Sequence, residues 1–464
     1  MLRIVNMIPR TLSGVTGQDA EPNLAVNPEN PQQMVATAFT RDPMNGTRAP
    51  VFVSQDGGAS WSLRSIVPGG PGTADISVGF GSKGGALYAG ILNFTTFNLN
   101  VLRTANPFAL TPMTVLIDRP NEDQPWVTAL TARAGGNVDL DQVYIGHNDF
   151  NVQPRTASVE LSRDARNGPA PGGFATLSVE TRQTVGQDGP PVRTAAHPDG
   201  TVYVAFQRWV DVLPSGPNDI SMDVVVVRDD AFGGGPAPFQ ALTDAADGDA
   251  GIRVATDRFV RFTASTGPLG QERIGADLSI AVDPTDSANV WLAWGDRVGR
   301  AQGTDWTLHV RHSIDRGSTW SADVRTVTNA KNPALAVNSQ GLVGLMFQQL
   351  VGAGPTTRWV TQLETTADAW ATAPTNLVLH TALAASPPRT GLPYLGDYIR
   401  LLCVDTDFYG VFSGSNLPAT VNFPNGIIYQ RNADFATQTL FKTDNSTPVA
   451  VSIDPFFVHH TPEQ

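Results

Sequence analysis

The chain contains a single cysteine, Cys403, among 464 residues, so no disulfide framework can hold it together. Cys403 lies in an apolar stretch, Tyr398 to Asp405, and reads as a small buried hydrophobe. Charged residues are scarce at 16%, against roughly a quarter in an average domain. The formal net charge is −12 and no cluster of Lys and Arg stands out, which argues against a phosphate-binding surface for nucleic acid. No apolar run reaches the roughly 18 residues of a membrane-spanning helix, and stretches of helical period are nearly missing. The opening residues Met1 to Arg10 are apolar for too short a distance to be a signal peptide. The expected location is cytoplasmic, or reached by an export route or signal not visible in this sequence. Gly (44) and Pro (35) are abundant, and they punctuate short runs rich in Val, Thr, Phe and Trp. That pattern predicts an all-β chain dense in turns.

One eight-residue phrase, Ser-x-Asp-x-Gly-x-Ser/Thr-Trp, occurs twice. The first copy carries Ser54, Asp56, Gly58 and Trp61; the second carries Ser313, Asp315, Gly317 and Trp320. Each lies between two short strands, as a hairpin turn built by side chains. The Asp accepts turn N–H groups, the Gly takes a conformation closed to other residues, and the Trp packs the turn onto its sheet. The phrase resembles the Asp-box, or BNR repeat, of the sialidase-like β-propeller superfamily, where it is a structural staple on the face away from the active site.

The boxes mark one position in a longer repeat: an Ala-Val-Asx-Pro strand, an apolar strand, then the hairpin. Asn23 to Pro28, Met34 to Thr40 and the hairpin from Val51 form one copy; Leu278 to Pro284, Val290 to Trp294 and the hairpin from Trp306 form another. Weaker copies place units at about 19–68, 74–118, 122–181, 187–243, 272–328, 331–381 and 394–442. In the last, Arg431 to Phe435 occupies the box position. Residues 243–271 read as an insertion, and the terminal segments 1–18 and 443–464 are expected to help close a ring. The expectation is a single domain, a seven-bladed β-propeller of four-stranded antiparallel blades, with six blades as the alternative.

In such a ring the innermost strands line a channel. The residue at the start of that strand is acidic or amide in every unit: Glu21, Asp75, Asp123, Asp188, Asp277, Asn332 and Asp397. Either these cap their own loops, or they converge at the channel mouth. Asp75, Asp123, Asp277 and Asp397 would then offer oxygen ligands to calcium, although no cofactor is required. The run Asp244 to Asp249 is calcium-loop-like in composition but lacks the ligand spacing.

Sialidases clamp a substrate carboxylate with three arginines and use a Tyr nucleophile, a Glu partner and an Asp acid/base. What the resemblance implies is a catalytic set of Asp123, Asp397 and Tyr398, with Glu21 or Glu272 beside the Tyr. Ligand-binding candidates at the mouth are Arg41, Arg208, Trp209, Arg297 and His147, with Arg273 and Arg400 nearby. The family's Phe/Tyr-Arg-Ile-Pro motif is missing; Met7-Ile8-Pro9-Arg10 does not match it. Arg41, Arg208, Arg273, Arg297 and Arg400 are therefore not expected to form a three-arginine clamp beside Tyr398. His147 would also suit the base of a polysaccharide lyase. The functional expectation is a propeller that recognises a glycan at the channel mouth and, if an enzyme, hydrolyses it. A non-catalytic scaffold is the alternative and a polysaccharide lyase a further one.

Overall fold

The computed structural model describes residues 1–39, 51–68, 73–93, 96–133, 138–167, 173–186, 188–189, 191–213, 219–261, 276–297, 306–388 and 394–463. These residues form an all-β structure, consistent with a propeller, in which successive stretches of chain make mostly four-stranded antiparallel sheets; the fourth and fifth are joined by a single pairing of Phe259 with Arg297, and the last also takes Ile428–Tyr429, parallel to Leu2–Asn6. The first sheet takes Ala20–Val26, Met34–Phe39, Val51–Ser54 and Ser62–Arg64. The first strands of the sheets that follow are Thr73–Phe80, Glu122–Thr131, Val192–Ala196, Leu278–Val282, Ala330–Val337 and Arg400–Val404. Each packs against the next, and Arg400–Val404 packs back against Ala20–Val26.

The strands are buried almost without alternation because each sheet is covered on both faces by its neighbours. Asp219–Asp229 shows how this works. Val225 and Val227 pack with Val159 and Leu161 of the preceding sheet, while Val224 and Val226 pack with Leu278 and Leu292 of the following one. Alternate residues of one strand thus feed two separate cores. The core is a series of clefts between sheets, and the cleft containing Val5, Leu24, Phe52, Trp61 and Phe457 joins the last sheet to the first.

Two segments differ from the sequence reading. Residues 243–271, taken as an insertion, include Ile252–Arg261, which is the outer strand of the fourth sheet and pairs with Asp219–Asp229. It is polar along much of its length because it lies on the rim, so its strand signal is weak. The unit placed at 394–442 takes its third strand from Ile453–His460 and its fourth from Leu2–Asn6. Ala433–Asp434 instead pairs with Thr439–Phe441 in a separate small sheet. The Asp434 turn imitates a box locally, whereas the apolar Ile453–His460 fills the cleft.

The two Ser-Asp-Gly-Trp hairpins have the same hydrogen bonds. Asp56 and Asp315 each accept the preceding Ser hydroxyl at 2.8 Å and the N–H of Ser60 or Thr319 at 2.9 Å. The Ser hydroxyl accepts the Gly58 or Gly317 N–H at 2.9 Å, and the indole donates back to that glycine's carbonyl. Gly58 and Gly317 have φ of +83° and +78°. Thr366, Asp368 and Thr372 form a looser third version. These turns join third strands to fourth, hence they lie on the face opposite the start of each first strand.

Candidate functional site: a polar cluster on the axis

The first strands of the first, second, third and sixth sheets share one irregularity near their start. Pairing skips between Ala20 and Asn23, Thr73 and Ile76, Asp123 and Trp126, and Lys331 and Ala334. Each skip is a β-bulge in which two residues face one on the partner strand. In three of them the first bulged residue precedes proline and still has positive φ: Glu21 at 51°, Gln124 at 50° and Asn332 at 54°. Side chains rarely accept that conformation, and such strain is retained where the surroundings fix it.

The bulges set which side chains reach the axis. Glu21, Gln124 and Asn332 are equivalent, so Asp123 lies one residue before that position and Asp75 one after. In a strand, a shift of one residue turns the side chain to the other face. The acidic residues aligned by sequence are therefore not structurally equivalent. Asp123 is half-buried and accepts the N–H of Gln124. Asp277 accepts the N–H of Asn332 from the next sheet at 2.8 Å. Glu21 accepts the N–H of Asp397 from the last sheet at 3.0 Å. Asp188 is wholly buried, and burial together with Glu180 pushes its carboxyl up to about 8.

What converges is a mixed cluster. Tyr398 donates its hydroxyl to Asp75 Oδ1 at 3.0 Å. Its ring meets Trp126 edge-on, centroids 5.6 Å apart. The guanidinium carbons of Arg193 and Arg400 lie 4.3 and 4.4 Å from the centre of the Trp126 ring. Gln124 bridges the cluster, its Nε2 3.3 Å from Asp397 Oδ2 and its Oε1 3.4 Å from Arg193 Nη2. Lys331, fully buried, donates to the Gly396 carbonyl at 2.7 Å. A side chain at Gly396 would collide with Cγ of Glu21, so glycine is what allows the Glu21–Asp397 contact.

Arg193 is the unusual member. It is 1% exposed, its hydrogen bond to Gln124 is long, and its Nε has no partner among the described residues. Burial pulls it down to about 10, opposed by Tyr398, Asp75, Asp397 and Glu21. Arg400 is likewise held near 10 by burial and by Arg193, and it lines a channel of about 510 Å³ along the inner strands. Burial first, then the Asp75 and Glu21 carboxylates, keep the Tyr398 hydroxyl protonated.

Of the candidates for binding a ligand, Arg400 reaches this cluster, whereas Arg208, Trp209, Arg297 and His147 do not. Arg208 pairs with Asp223 at 2.8 Å, Arg297 lies 3.4 Å from Asp219, and Trp209 is core between the fourth and fifth sheets. His147 is wholly buried against Glu122. Arg41, Glu272 and Arg273 lie outside the described residues. Asp75, Asp123, Asp277 and Asp397 each have the separate partners named above, and no group of three His, Cys, Asp or Glu able to hold a metal occurs among the described residues. In the acidic run, Arg253 binds Asp244 and Arg182 binds Asp247, so those carboxylates are neutralised by arginine. Arg193, Trp126, Gln124 and Lys331 were missed as site residues. The one sequence signal was the recurrence of Glu21-Pro22, Gln124-Pro125 and Asn332-Pro333 at strand starts.

No family model matches the chain, and no curated protein matches it in sequence. Solved structures resemble it in fold. An endosialidase of phage phi92 is 11% identical, covers 100% of this chain and 69% of its own, and has a TM-score of 0.45. An α-L-arabinofuranosidase from Fusarium graminearum, in complex with an iminosugar inhibitor, is 11% identical over 97% of each chain, with a TM-score of 0.41. A polysaccharide lyase described as an ulvan lyase is 9% identical over 88% of this chain and 93% of its own, with a TM-score of 0.47.

Proposed function

We propose that the chain is a seven-bladed propeller of the sialidase-like, Asp-box kind that recognises an acidic glycan at the axial mouth. The blade count is supported by the first strands that pack in a cycle, and the Asp-box by the paired hairpins at Asp56 and Asp315. Arg193 carries the functional reading. Among the described residues this buried guanidinium has one long hydrogen bond and no planar acceptor of the kind arginine binds best, and a carboxylate supplies two oxygens in the matching geometry. The Gln124 amide oxygen occupies part of that position, and its long bonds are the ones a carboxylate displaces. Trp126 and Tyr398 add an aromatic floor and a hydroxyl donor.

The protonated Tyr398 favours recognition over attack by a tyrosine nucleophile. Hydrolysis through Tyr398 would require its proton to pass to Asp75 or Glu21, and those carboxylates oppose the tyrosinate. Calorimetry with uronate- or sialate-bearing oligosaccharides, beside neutral counterparts of the same length, tests the reading. Acidic ligands are expected to bind tighter by about tenfold to a hundredfold, the worth of a charge-assisted hydrogen bond. Arg193→Lys is expected to remove that preference, since lysine keeps the charge but not the planar fork. Equal affinity for both ligand sets, or none for either, overturns it. Turnover of an aryl glycoside panel would replace recognition with catalysis.

A further inference from the structure

Glu122 and His147 lie off the axis, in the third sheet, and take no part in the contacts just described. His147 Nδ1 is 2.5 Å from Glu122 Oε2, and its Nε2 is 4.0 Å from Glu160 Oε1. Glu160 in turn lies 2.8 Å from Arg119 Nε, of the second sheet, and accepts the Thr176 hydroxyl. Asp149 is the remaining charged group acting on the pair. Burial, with Asp149 adding to it, pushes Glu122 up to about 9, while burial pulls His147 down to about 4. Both shifts favour the uncharged pair, the form in which the Glu122 carboxyl donates to Nδ1 and the His147 Nε2 side faces Glu160.

The strand register gives this bond a consequence. Asp123 pairs with Asn148 and Trp126 with Gly146, so the bulged residues Gln124 and Pro125 face a single residue, His147. Glu122, opposite Asp149, comes one residue before Asp123, the last residue paired ahead of the bulge. A bond from Glu122 to His147 thus runs diagonally across the two strands, past the Asp123–Asn148 pair, to the one residue that the bulge faces. The bulge presents Gln124 at positive φ to Arg193 and Asp397 and sets Trp126 under both guanidinium groups.

We infer that the Glu122–His147 bond is the clamp that holds this bulge, and that both are positioning residues for the axial site rather than ligand contacts. The inference rests on the axial reading only for its effect on binding. The test uses the whole chain and two readouts, hydrogen exchange without ligand and affinity for an acidic oligosaccharide. Glu122→Gln replaces the donating hydroxyl with an amide N–H and is expected to match the wild type in both. Glu122→Ala is expected to speed exchange at Gln124, Trp126 and Val127 by about tenfold or more, with a similar loss of affinity. Exchange in the first and fifth sheets stays unchanged. His147→Ala removes the bond from its other side and replaces Glu122→Ala in the comparison if that variant fails to fold. Wild-type exchange at the bulge in Glu122→Ala, or the same loosening in Glu122→Gln, overturns the clamp. A loosened bulge in Glu122→Ala with no glycan bound by the wild type supports the clamp and removes the glycan reading.

Discussion

Asp56 shows how far one side chain can organise a turn. Its carboxylate accepts from the Ser54 hydroxyl and from both the N–H and the hydroxyl of Ser60. Partial burial opposes its charge, but these bonds outweigh it and hold the carboxyl below its ordinary range. Asp56→Ala is expected to lower stability by about 1–3 kcal/mol, as lost turn bonds do, with ligand affinity unchanged at temperatures where the variant is folded. Urea denaturation beside calorimetry checks both halves, and selective loss of binding without loss of stability contradicts a structural role. The turn was legible in sequence because every participant lies within eight residues of the phrase. Arg193 was not, because nothing beside it in sequence marks it; its significance comes from Trp126 and Tyr398, which other sheets supply. Tyr398 was picked out by its neighbour Asp397, yet its bond goes to Asp75.

At the scale of elements, a strand's parity is the part of the fold that sequence alignment handles worst. Glu21, Asp75 and Asp123 look equivalent by spacing, and the bulges make them successive positions instead. The fifth sheet holds a second arrangement that parity alone creates. His309, buried on Trp306–Ser313, lies 3.1 Å from Asp296 on the neighbouring strand and 2.8 Å from Asp323. Burial disfavours its charge, but the two aspartates outweigh it, so its pKa is raised in the fold. Asp323 is held low by Arg311 and His309, against burial. A raised histidine contributes stability that is complete below its unfolded pKa of about 6.5 and fades as pH climbs through the folded value. A lowered aspartate contributes above about 3.8 and is lost as pH falls through its folded value. The contributions of His309 and Asp323 are therefore both complete between about pH 4 and 6.5. His309→Gln is expected to flatten the decline in stability above pH 6.5, and denaturation curves across that range check it. An unchanged pH slope in the variant contradicts the assignment.

At the scale of the whole molecule, closing the cycle of sheets depends on residues far apart in sequence. Leu2–Asn6 pairs with Ile453–His460, and that strand pairs with Asp407–Ser415. The sequence suggested that the termini close the ring, but it read Arg431 to Phe435 as a hairpin turn. Arg431 instead is fully buried, 2.9 Å from Asp454 on the closing strand, and it donates to the carbonyls of Ser13 and Val15. Asp454 also accepts from Asn6 and Asn416. One guanidinium thus joins the N-terminal segment to the last sheet, at a site with no local sequence signature because its three partners, Asp454, Ser13 and Val15, lie far from Arg431 along the chain. Removing one member of a buried ion pair leaves an uncompensated charge, so Arg431→Ala is expected to cost about 3–5 kcal/mol. Arg431→Met with Asp454→Leu removes both charges and is expected to recover much of that loss, since the desolvation penalty of the pair disappears with it. Urea denaturation of the three proteins decides the matter. A loss under about 1 kcal/mol in Arg431→Ala, the range of an exposed pair, means that ring closure rests on the strand pairing of Leu2–Asn6 and on the apolar cleft around Val5 and Phe457.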